Sequence, residues 1–198
     1  KFTTYDPFYG GDIAKWKKAA RSLKLIILMT MVDKDPSKAA AIGQMIAQGG
    51  MISSAADNFK MAFQDVAGRK NPKFALSEQY NNGQNFFFPS KYVVDFMRPL
   101  NDPRLPRFFD KPAAANNYYG VEPGDDGDDD LHARISNTLH AANAAELFYS
   151  YQEQLFFEAE VYARGLGVTA NLTTANTLYK KAIEESCKHR ARAAAAVR

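Results

Sequence analysis

The chain has 198 residues, 46% of them hydrophobic and 24% charged. That is enough for one well-buried core, or at most two small ones, and it excludes a disulfide-stapled miniprotein, a disordered chain and a collagen-like or coiled-coil rod. Lys and Arg number 25 against 22 Asp and Glu, a formal charge of +3, which is too small an excess to mark nucleic acid as a partner.

The first residues, Lys1 to Thr4, include neither an initiator Met nor a charged segment followed by an apolar run, which suits a processed protein or part of a longer one. Asp12 is placed to cap a first helix, with Trp16, Ala19, Ala20, Leu23, Ile26, Ile27 and Met31 at helical spacing. Lys17, Lys18, Arg21 and Lys24 give that helix a cationic, solubilising face. The apolar stretch Leu23 to Val32 is broken by Lys24 and Thr30 and is half the length a membrane span needs, so it predicts a core helix. Asp35 and Pro36 read as N-cap and N1 of a second helix, which Gly49-Gly50 end. Residues 12–50 are therefore expected to form a helical hairpin.

Residues 51–145 change character. Asn71-Pro72, Asn81-Asn82-Gly83, Asn101-Asp102-Pro103 and Pro123-Gly124 break the pattern into short pieces. One short helix is expected near 90–98, from Ser90 as cap to Pro99 as stop, within an otherwise irregular, loop-rich region of the kind that carries function. From about Leu147 the helical period returns, Gly165 to Gly167 interrupt it, and Asn171 to Thr174 offer caps for a last helix. Residues 146–190 are read as a second hairpin, with Ala facing aromatics in the tetratricopeptide manner. The single cysteine, Cys187, excludes an internal disulfide framework and any CxxC zinc or redox motif. The Ala193 to Ala196 run carries no functional signal. The fold class expected is mainly α: tetratricopeptide-like helical hairpins flanking an irregular loop-rich insertion.

Five segments in order resemble one family. Tyr9-Gly10-Gly11-Asp12 with the Lys15-Trp16-Lys17-Lys18 run and Ser22-Leu23-Lys24-Leu25 is similar to the signature of SusD/RagB-like outer-membrane nutrient-binding lipoproteins. Pro89 to Met97, Leu100 to Leu105, Tyr119 to Gly124, and Tyr151 through Arg164-Gly165 to Tyr179–Ser186 match later stretches of that family. Departures occur at Ala19-Ala20-Arg21, where the family has Phe-Ala-Asn, and at Ile26, where it has Arg. No lipobox Cys is present, and relatives are longer, so residues 1–198 are expected to be the central and later part of a single SusD-like domain.

The resemblance implies a non-enzymatic lipoprotein on the cell-surface face of a Gram-negative outer membrane, lipid-anchored through a segment outside this chain. It implies capture of an oligosaccharide or peptide beneath a hinged lid on a TonB-dependent, SusC-like transporter, by binding and closure without covalent chemistry. The rivals are a helical-repeat interaction scaffold and a glycan hydrolase.

Several residues bear on that function. The stretch Tyr80 to Phe88, with Asn82, Asn85, Phe86, Phe87 and Phe88, mixes amides with aromatic faces, as sugar binding requires and as peptide binding can also use; the plainer reading is that its rings pin an irregular loop to the core. Tyr118 and Tyr119 beside Asn116 and Asn117 form a second such group. Asp125, Asp126, Asp128 and Asp130, in a Gly-broken acidic loop, are candidate calcium ligands, with a solvated loop as the plainer reading and no other cofactor expected. His132 and His140 lack metal-site spacing and read as surface residues. Glu153 and Glu160 share one helix and cannot straddle a sugar as a hydrolase pair must. Trp16, on the apolar stripe of the first helix, reads as a core residue rather than a stacking platform.

Overall fold

A computed structural model describes residues 5–82 and 84–195, with side chains as far as Lys188. The side chains of the His189-Arg190-Ala191-Arg192 run and the Ala193–Ala196 run therefore lie outside the described residues. The chain divides into two compact units, one of Lys1–Ala62 with Glu146–His189 and one made mainly of Phe63–Ala145.

In the first unit, helix α1 spans Ile13–Met31, and the Asp12 side chain accepts from the Ala14 and Lys15 amides. Helix α2 spans Lys38–Gln48. It begins later than the Asp35-Pro36 reading placed it, because the Asp35 carboxylate accepts from the Ser37 amide and hydroxyl and so closes a local turn before the helix starts. Gly49 ends α2 at φ 59°. Leu25, Leu28, Met29 and Val32 of α1 meet Ile42 and Met45 of α2, Met51 and Val161 in one buried cluster. The buried Ser22 hydroxyl accepts from the Ile52 amide at 3.0 Å and ties the chain after α2 back to α1.

Strand β1, Phe59–Met61, pairs antiparallel with β4, Glu146–Tyr149, through Phe59 opposite Tyr149. The second hairpin therefore starts later than residue 146. Tyr149 is buried while Phe148 is exposed, an alternation of period 2 that belongs to a strand. Helix α6, Tyr151–Arg164, opens on a capping box in which Ser150 and Glu153 satisfy each other's amides, and Gly165 ends it at φ 69°. Asn171 accepts from the Thr174 amide at the start of α7, Leu172–Ala195.

The second unit holds more structure than the one short helix expected. Helix α3 spans Pro72–Asn81, α4 Lys91–Met97 and α5 Leu105–Phe108, and β2, Phe109–Asp110, pairs antiparallel with β3, Arg134–Ile135. The Asn71-Pro72 dipeptide, read as a break, is an N-cap followed by an N1 proline: the Asn71 side chain accepts from the Lys73 amide at 2.9 Å. Val94, Met97, Leu105, Phe109 and Ala133 form this unit's core, with Phe108, Tyr118 and Ile135 against it. Among the described residues no helix is long and apolar enough to cross a membrane.

Candidate functional site

Helix α4 and the strand-like run after Tyr118 are locked together. Ser90 and Val121 form a parallel bridge, and the Lys91 amide donates to the Val121 carbonyl at 2.8 Å. The approach is so close that a Cβ on Gly120 would lie 2.6 Å from the Lys91 backbone. From α4, Arg98 reaches across: Nη1 donates to the Tyr118 carbonyl at 3.1 Å, Nη2 pairs with Asp95 at 3.0 Å, and the guanidinium lies 5.1 Å over the Tyr119 ring. At the other end of α4, Glu122 accepts from the Tyr92 hydroxyl at 2.7 Å and from Lys91 at 3.0 Å. These two donors hold the Glu122 carboxyl below its ordinary range, and the Glu122 carboxylate in turn raises the Tyr92 phenol and the Lys91 ammonium.

Beside this lattice lies a cleft of about 520 Å³ lined by Lys91, Arg98, Tyr119, Glu122, Asp125, Asp126 and His132, among others. His132 Nδ1 accepts from the Asp128 amide at 2.9 Å. In the neutral ring the hydrogen therefore sits on Nε2, where it is a donor. An aromatic ring, an imidazole N–H, carboxylates and an ammonium around one concavity are the groups that recognise a polyhydroxylated ligand.

A second cleft of about 540 Å³ is lined by Gln84, Asn85, Asp110, Lys111, Arg134 and Asn137, with others. Arg134 pairs with Asp129 and stacks 5.1 Å over Phe88, while its Nη1 is buried without a hydrogen-bond partner among the described residues. In the first unit, an apolar groove of about 690 Å³ runs along α6 and α7, lined by Phe156, Ala159, Ala163, Leu172, Ala175 and Tyr179 among others.

The residues singled out from the sequence fall into distinct settings. Tyr119 lines the first cleft. Tyr118 is half-buried under Lys111, whose ammonium lies 5.1 Å over the ring, and burial followed by the Asp110 charge raises its phenol. Asn85 is buried; its amide donates to the Ile135 carbonyl and its oxygen accepts from the Phe87 amide, so both ends hold the loop's own backbone while the residue borders the second cleft. Phe86 and Phe87 stack at 4.7 Å, and Phe87 also meets His140 at 5.4 Å. Phe88 touches lining residues of both clefts, His132 and Arg134, and a Cβ on Gly127 would lie 2.4 Å from its ring. Tyr80 is 70% exposed on α3 and Asn82 caps that helix at φ 50°; neither lines the two clefts.

The acidic loop does not gather its carboxylates. Asp125 and Asp126 face the first cleft, Asp128 accepts from the Asp130 amide, and Asp129 turns to Arg134. Among the described residues no group of three His, Cys, Asp or Glu side chains is placed to hold a metal ion. His140, read as a surface residue, is buried against Ser77 at 2.9 Å. Trp16 is half-buried in an aromatic cluster with Phe8, Tyr9 and Phe59 instead of the main core. Glu153 serves the capping box and Glu160 pairs with Arg164. Sequence reasoning passed over Arg98 and Glu122. The one local signal was Asp95 three residues before Arg98, an i,i+3 ion pair at the end of a short helix.

A family model described as "Starch-binding associating with outer membrane" matches residues 1–197. Among solved structures, a chitin-binding protein is 27% identical, with 96% of this chain and 43% of that chain covered at a TM-score of 0.74. A chitin-binding SusD homolog from Flavobacterium johnsoniae is 23% identical, covering 96% of this chain and 39% of its own at a TM-score of 0.75. A SusD homolog from Bacteroides vulgatus is 20% identical, covering 90% and 36% at 0.70. The chain thus spans less than half the length of each of these structures. No curated protein matches the sequence.

Proposed function

The chain belongs to the SusD-like family, whose model matches residues 1–197, and from that premise we propose that it is a non-enzymatic binder of oligosaccharide nutrients at the outer membrane. The family match carries the reading. The 27% identity to a chitin-binding protein favours a glycan over a peptide as the ligand. The cleft bounded by Tyr119, Glu122 and His132 is the place in this chain suited to it: one aromatic ring for a sugar's C–H face, with donors and acceptors for its hydroxyls. The proposal extends to a lipid anchor outside this chain, the cell-surface face of a Gram-negative outer membrane, and the role of lid on a SusC-like, TonB-dependent transporter. Capture then needs binding and closure, and no bond in the ligand is made or broken.

The test has two arms. Detergent-solubilised outer membrane from the source organism should yield a TonB-dependent barrel with the tagged full-length protein, and the purified chain should bind glycan oligomers saturably without releasing shorter products. Absence of both would remove the reading. A helical-repeat interaction scaffold is the second reading, favoured by the apolar groove along α6 and α7. Binding of protein partners with no glycan binding would support it.

A further inference from the structure

The first cleft is uneven in charge once its internal pairs are assigned. Lys91 and Arg98 face four carboxylates, Asp95, Glu122, Asp125 and Asp126. Lys91 is joined to Glu122 at 3.0 Å and Arg98 to Asp95 at 3.0 Å. Both cations are therefore neutralised within the wall. Asp125 and Asp126 are exposed and have no cationic partner among the described residues. Even with His132 protonated, carboxylates outnumber cations around the cavity. The aromatic platform is fixed independently of these charges: Arg98 lies 5.1 Å over the Tyr119 ring and bonds to the Tyr118 carbonyl, while Tyr119 stays 38% exposed.

We propose that this cleft prefers a sugar bearing a free ammonium, an amino sugar such as a glucosamine unit, to the neutral acetylated sugar and to an acidic one. The inference rests on the glycan-binding reading and adds a charge preference to it. The ring of such a sugar meets Tyr119, and its ammonium forms charge-assisted hydrogen bonds to Asp125 and Asp126. An acidic sugar brings a third uncompensated negative charge to the same place. Because both aspartates are exposed, the preference is modest and weakens with salt.

Calorimetric titration of the 198-residue chain with oligomers of glucosamine, N-acetylglucosamine and galacturonate, at about pH 5.5 where aspartates are ionised, tests it. The expected result is that the glucosamine oligomer binds about fivefold more tightly than the acetylated one at low salt, with galacturonate weakest. The double variant Asp125→Asn with Asp126→Asn should equalise the first two, and Tyr119→Ala should weaken both. Acetylated oligomer binding as tightly as glucosamine, or a preference that survives in the double variant, overturns the inference and leaves the glycan-binding reading standing. No binding of any of the three overturns this inference as well, while the glycan-binding reading is decided by its own two arms.

Discussion

At Asp6 a single carboxylate collects the amides of Phe8, Tyr9 and Gly11 and the Trp16 indole N–H, the last at 2.8 Å. Burial pushes this acid upward, but the Trp16, Gly11, Phe8 and Tyr9 donors outweigh it and bring the carboxyl to about 2 from 3.8. A depressed carboxyl contributes stability above its unfolded value and loses it as the pH falls. Asp6→Ala should therefore lower the melting temperature at neutral pH, and the gap to the parent protein should close between pH 3.8 and about 2. His140 titrates in the opposite chemical sense with the same direction of effect. Burial, then the Lys73 charge, lowers it from 6.5, so the fold favours the neutral ring and stability drops as the pH falls through 6.5. Ser77→Ala leaves the His140 ring nitrogen without its 2.9 Å partner and should cost about 1–3 kcal/mol in denaturant unfolding. Neither contact was legible in the sequence. Asp6 stands in a Pro- and Gly-rich lead, and Ser77 and His140 are 63 positions apart, which no local period connects.

Among the elements, capping chemistry was the most readable feature. Asp12, Ser90, Gly49, Gly165 and Asn171 all stand at the helix ends where their residue types placed them. The misreadings share a cause: a short apolar or turn-like run fits two local structures, and the tertiary partner decides. Leu147–Tyr149 became a strand because β1 is its neighbour, and Asn71-Pro72 became a helix start because the Asn71 amide groups also bind Ala142 and Ala144 carbonyls. The α2 residue Gly43 meets Gly167 so closely that a Cβ would lie 2.0 Å from the Gly167 carbonyl oxygen. Gly43→Ala should thus destabilise by about 1–3 kcal/mol through overpacking, read by thermal or urea unfolding. Ser150→Ala removes the α6 cap and should cost about 0.5–2 kcal/mol, with Ser150→Asp retaining most of the parent's stability.

For the whole chain, length and charge excluded wrong classes without identifying the right one; five ordered motifs did that, and the match over residues 1–197 bears them out. The binding surface was less legible. Phe86 to Phe88 and Asn85 drew attention as a mixed aromatic and amide run, yet much of their contact is with His140, Arg134 and the loop backbone. Tyr119 owes its place to Arg98 and to the glycine that lets the chain approach α4, a juxtaposition that sequence spacing does not encode. The proposed function is glycan binding through that cleft, with the glycan left unaltered. Isothermal titration with chitin-type oligomers, followed by mass analysis of the oligomer, tests it most directly. Binding at this cleft gives saturable heat that is lost in Tyr119→Ala, with the oligomer recovered intact; no heat with any oligomer, or recovery of shortened products, would contradict it.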